Sequence, residues 1–154
     1  MQIGIRLHDT KKGTLEERVA IAEEQGFSCA HLALKKVISE YSVADSALTP
    51  GFSCYLKNLF AAHHLDIAVL GCYLNLATPD QAVLEKNVHR YMAHIRMASL
   101  LGAGVVGTET GAVNESYSFE ERNHSEEALD IFIKSMSTVA NTLASLFSTI
   151  TLIH

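Results

Sequence analysis

The chain has 154 residues, 48% of them hydrophobic and 19% charged, which is enough to bury a core in one globular domain. A formal net charge of −5, with only Lys11-Lys12 and Lys35-Lys36 as thin basic clusters, excludes a nucleic-acid or anionic-membrane surface. No apolar run reaches bilayer length, no signal-peptide pattern is present, and Cys29, Cys54 and Cys72 read as free thiols, so a soluble cytoplasmic protein is expected.

Residues 2–7 (QIGIRL) predict a first strand. Thr14 and Glu17 form a capping-box pair opening a helix through LEERVAIAEEQG, stopped at Gly26. Residues 29–34 (CAHLAL) predict a second strand, followed by a serine-bearing loop. Thr49 before Pro50 is an N-cap with proline at the first helical position, and GFSCYLKNLFAAHH continues that helix. Residues 66–74 (DIAVLGCYL) predict a third strand, apolar enough to be buried on both faces. Thr78 with Gln81 repeats the start signal for a long helix that stops at Gly102. Val105 and Val106 centre a buried fourth strand that ends in Glu109. A polar loop over 111–124 leads to Ser125 and a last helix, and the β-branched STITLI at 148–153 predicts a fifth strand.

Strands alternating with helices demand parallel pairing and right-handed crossovers, hence an α/β fold. An open doubly wound sheet and a (β/α)8 barrel both gather ligands at the C-terminal strand ends. Those ends carry His8-Asp9-Thr10, Lys35-Lys36, Tyr73-Leu74-Asn75 and Thr108-Glu109-Thr110, a convergence that predicts a small-molecule pocket. Glu109 is the candidate acid/base or hydroxyl anchor, and its competing reading is an acid satisfied by backbone amides or a cation. Thr108 and Thr110 both donate and accept hydrogen bonds, which suits a sugar or polyol. His8 and Asn75 are the other candidate ligand contacts. His31 lies inside the second strand, where alternation turns it either to the barrel interior or to the helices. Gly102 to Gly107 spells G-x-G-x-x-G, but it ends a helix and opens a strand, the wrong context for a dinucleotide. His63-His64 suits a helix C-terminus, His89 and His94 do not share a face, and Cys72 reads as a small buried hydrophobe.

The segments MQIGIRLHDT, LGCYLNLATPD, YMAHIRMASLLGAGVVGTETG and HSEEALDIF resemble the N-terminal half of the sugar phosphate isomerase/epimerase family. This is the xylose-isomerase-like TIM-barrel group, which also holds inosose dehydratases and type IV apurinic endonucleases. The likeness covers roughly residues 1–135 and is most typical at Ala98 to Val106. It implies an eight-stranded barrel, a divalent metal (Mn, Mg, Co or Zn), and sugar isomerisation or epimerisation by proton transfer next to a carbonyl. It places His8, Asn75 and Glu109 at the substrate mouth. The family's metal ligands, a Glu, an Asp, a His and a Glu on strands five to eight, have no counterpart in this chain, and a full barrel takes about 250 residues. The expectation is therefore a truncated barrel of about four β/α units plus a fifth strand, one domain over 1–154, with impaired catalysis. No Asp, Glu, Lys or Arg follows Lys134, and this uncharged stretch, with two open sheet edges, predicts a homodimer. The alternative is a non-catalytic dimeric half-barrel that at most holds a polyol.

Overall fold

The computed structural model describes residues 2–151, with side chains as far as residue 144. In chain order the elements are β1 (Gly4–Arg6), α1 (Leu15–Glu24), β2 (Cys29–Leu32), α2 (Leu34–Val37), α3 (Pro50–Ala62) and β3 (Asp66–Gly71), then α4 (Gln81–Leu101), β4 (Val105–Gly107) and α5 (Glu126–Thr151). All strand pairs are parallel and the sheet order is β1-β2-β3-β4, so the fold is α/β. The chain packs as two compact units, one of residues 1–72 with 93–108, the other of 73–92 with 109 onward.

The first unit holds the whole sheet. The Thr14 hydroxyl accepts from the Glu17 N–H at 3.2 Å while the Glu17 carboxylate accepts from the Thr14 N–H at 2.9 Å. This reciprocal cap satisfies two orphan amides and contributes about 1 kcal/mol. Thr49 caps α3 from one side only, its hydroxyl accepting from the Phe52 N–H. The stops of α1, α3 and α4 share one geometry, with a left-handed residue at Gly26, His64 and Gly102. The next N–H then reaches back five residues, from Phe27 to Ala22, Leu65 to Phe60 and Ala103 to Ala98, at 3.0–3.1 Å. Phe27, Leu65 and Ala103 thereby enter the core, which packs Leu7, Val19, Leu32, Leu56, Phe60, Leu70 and Met97 against one face of the sheet. Ala30 and Leu32 point into that core, so Cys29 and His31 lie on the opposite face. That decides the orientation of His31.

The second unit has a smaller apolar cluster of Ala77, Val113 and Ala128. Its part of α4 begins at Asp80, whose carboxylate accepts from the Ala82 and Val83 N–H groups at 2.9 and 3.0 Å. Asp80, not Thr78, is therefore the cap, because the carboxylate reaches both orphan amides while the Thr78 hydroxyl accepts from the Asp80 N–H. Ser125 caps α5 through the Ala128 N–H.

Other expectations change with the structure. The first strand stops at Arg6 and turns through a 3-10 segment, Leu7–Asp9. Leu34 and Val37 bury their side chains at a helical spacing, so Lys35 and Lys36 ride on α2 rather than extending the second strand. The third strand is not buried on both faces. Ala30 pairs with Ile67 and His31 with Val69, so Ala68 is an extra residue that bulges outward. Nor is the fourth strand buried: it pairs only with β3 among the described residues, and Val105 is 53% exposed. In place of a fifth strand over 148–153 the backbone stays helical to Thr151, and 152–153 lie outside the described residues. No Gly or Pro follows Gly111 to stop that helix, and extending a formed helix costs little even for β-branched residues. No helix among the described residues is long and apolar enough to cross a membrane.

Candidate functional site

In the first unit the C-terminal ends of β1 and β2 build a basic cluster from alternation and register. Leu7 is buried in the core, and the Arg6 and His8 side chains meet beside it. The register sets Arg6 beside His31. The His8 and His31 rings meet edge to face with centroids 5.7 Å apart. Arg6 donates to His8 Nε2 from Nε at 3.2 Å and from Nη2 at 2.8 Å. Arginine has no acceptor, so Nε2 carries the lone pair and the neutral His8 ring carries its proton on Nδ1. That Nδ1 is buried without a hydrogen-bond partner, and the His8 side chain is only 9% exposed. Burial lowers the pKa of both imidazoles below the usual 6.5, with Arg6 and Lys36 adding to the shift and Asp9 opposing it. Thr108, at the end of β4, is half-buried.

Asn75 and Glu109 belong to the second unit. Asn75 is buried, and its Oδ1 accepts from the Ala77 N–H at 3.2 Å and the Ala112 N–H at 2.9 Å. Its Nδ2 donates to the Asn114 carbonyl at 3.3 Å, while its own carbonyl accepts from Asn87 Nδ2 at 2.8 Å. The Asn75 amide therefore ties two loops together. Gly111 makes this possible, since at φ +100 it passes so close that a Cβ would lie 2.3 Å from Asn75 Oδ1. Glu109 and Thr110 are exposed, and the Glu109 carboxylate accepts a hydrogen bond from the Tyr117 hydroxyl. Burial raises the Tyr117 phenol well above its ordinary pKa, and the bond to Glu109 raises it further, so it stays a donor at neutral pH.

Arg6 and Tyr117 are the residues that sequence reasoning missed. Arg6 was within reach, at the end of the first predicted strand and two residues before His8. Tyr117 carried no periodic signal. Among the described residues no three His, Cys, Asp or Glu side chains converge, so they do not fit the divalent ion that the family resemblance implies. Cys29, Cys54 and Cys72 are free thiols, and Cys72 is buried. The second unit also holds a groove of about 390 Å³ between α4 and α5, lined by Leu84, Val88, His89, Ile131, Lys134 and Thr138 among others.

Residues 19–150 match the family described as xylose isomerase-like TIM barrel. The chain is similar in fold to the D-psicose 3-epimerase of Clostridium cellulolyticum H10 determined with D-tagatose, at TM-score 0.66 and 13% identity. That match covers 94% of this chain and 49% of the epimerase. A D-tagatose 3-epimerase-like protein matches with TM-score 0.63 and 21% identity over 92% of this chain and 48% of its own. The probable 3-DHS dehydratase of Bacillus anthracis matches with TM-score 0.61 and 13% identity over 94% and 49%. The chain spans about half the length of these solved structures. No curated protein matches it significantly in sequence.

Proposed function

Because this chain belongs to the xylose isomerase-like TIM-barrel family, we propose that it binds a small sugar or polyol through Glu109. One observation carries this reading: the exposed Glu109 carboxylate already accepts a hydrogen bond from a hydroxyl, that of Tyr117. A sugar hydroxyl is the same kind of donor, and a charged acceptor makes the stronger bond. Thr110, exposed beside it, adds a group that both donates and accepts. Two of the structures similar in fold are described as a D-psicose 3-epimerase and a D-tagatose 3-epimerase-like protein, which supports a ketohexose as the first ligand to try. A carboxylate in this position also suits proton transfer next to a carbonyl. Turnover is expected to be impaired, since no three-ligand metal set converges among the described residues.

Calorimetric titration of the full chain with D-tagatose, D-fructose and xylitol tests the proposal. Saturable binding is expected, and Glu109→Gln should weaken it about tenfold, the loss of a hydrogen bond to a charged group. Unchanged affinity in a folded Glu109→Gln variant would remove Glu109 from the site.

A further inference from the structure

We propose that the groove between α4 and α5 binds a free carboxylate carrying a single alkyl chain, with the Lys134 ammonium as the partner of its headgroup. This goes beyond the polyol reading, and the groove lies wholly within the second unit. The two helices leave about 390 Å³ between them, and Leu84, Val88 and Ile131 supply the apolar lining. Leu84 and Val88 stand four apart on α4, as Ile131 and Ser135 do on α5, so each helix presents one continuous wall. Ile131 also packs against the cluster of Ala77, Val113 and Ala128, which fixes its side of the groove.

The hydroxyls along the α5 wall are already spent. Buried Ser135 lies 2.9 Å from both the Leu76 and the Ile131 carbonyl oxygens, which take its one proton. Thr138 donates to the Lys134 carbonyl at 3.0 Å. Neither has a proton left for a ligand. A sugar needs a partner for nearly every hydroxyl and finds few here, whereas an alkyl chain needs none.

Two lining groups keep their donors. The Lys134 and His89 side chains make no hydrogen bond or ion pair with any other described residue. Both lie more than two turns inside their helices, so no helix terminus acts on a charge bound there. Glu85 is the one carboxylate of the lining, and the Gln81 amide already donates to it at 3.1 Å. An ammonium with three free donors and an imidazole N–H are thus left beside an apolar surface. A carboxylate with an alkyl tail answers both. The net charge of −5 opposes an anionic membrane surface, which makes the free carboxylate the source.

Amide NMR of the full 15N-labelled chain during titration with octanoate tests the inference, with acetate, 1-octanol and octylammonium as controls. Octanoate should give saturable shifts at Leu84, Val88, Ile131 and Lys134, and all three controls far weaker ones. Affinity should rise about twofold per methylene from hexanoate to octanoate, since an open groove covers one side of the chain. Lys134→Gln, an exposed change, should weaken octanoate about fivefold and leave 1-octanol unaffected. Shifts that are absent, unsaturable or centred outside the groove would overturn the site. Octylammonium or 1-octanol binding as tightly as octanoate, or no loss in Lys134→Gln, would overturn the carboxylate. Groove signals that move when the free protein is diluted would put a second copy there instead. None of these outcomes bears on Glu109, whose ligand is a sugar read by calorimetry.

Discussion

Tyr117 adopts a left-handed backbone, φ 54, that bulky residues seldom accept, and its hydroxyl is given to Glu109. The loop that holds it there is tied by two asparagines. Asn114 Oδ1 accepts from the Ser118 N–H at 2.9 Å and its Nδ2 donates to the Ser118 carbonyl at 2.8 Å. Asn123 bridges the Val113 N–H and the same carbonyl, at 3.0 and 2.9 Å. The phenol is thus presented to the carboxylate by a preformed loop, and a ligand hydroxyl bound at Glu109 as proposed would compete with it. Tyr117→Phe should consequently tighten sugar binding severalfold in the calorimetric titration, since the net worth of such a bond is about 1 kcal/mol. Weaker binding in that variant would mean that Tyr117 helps to hold the ligand instead. That Glu109 follows the fourth strand was legible from the apolar run before it, and its exposed position there agrees. Tyr117 was not, because its contact depends on turn geometry eight residues further along. Asn75 was legible as a polar residue at a strand exit, while its task of tying backbone amides emerges only once Gly111 brings Ala112 beside it.

The helix stops show what an element's sequence signals and what it hides. Gly26 and Gly102 announce the ends of α1 and α4, and both take the left-handed conformation that glycine accepts without a Cβ penalty. α3 ends in the same motif with His64 in that place, which no stop rule anticipates. His64→Gly should therefore raise stability by about 1 kcal/mol, the steric cost removed less the added entropy of the unfolded chain. Chemical denaturation would show it as a higher midpoint at unchanged slope. A lower midpoint would mean that the His64 side chain contributes more than its backbone costs. The start signals at Thr14 and Thr49 were read correctly because a cap is a local event. The last helix was read too short for the opposite reason: STITLI has strand chemistry, but with no Gly or Pro before it nothing breaks the hydrogen-bond ladder, and the helix runs on to Thr151. The four residues of α2 are too few to carry a period and could not be seen in advance.

For the molecule as a whole, strand-helix alternation was enough to read a parallel α/β sheet, because chirality and connection rules leave few other arrangements. The bulge at Ala68 was not readable, since it depends on how β3 registers against β2. Among the described residues β1 and β4 each have one strand neighbour, and we propose that these edges pair with a second copy of the chain. Light scattering should then give twice 16.8 kDa, held across dilution, whereas a steady 16.8 kDa would contradict it. Amide NMR of the full chain during titration with D-tagatose tests most directly whether this family member binds a sugar or polyol at Glu109, as proposed. Saturable shifts centred on Glu109, Thr110 and Tyr117 are predicted. No saturable shift, or shifts centred on Leu84, Val88, Ile131 and Thr138 in the groove between α4 and α5, would contradict it.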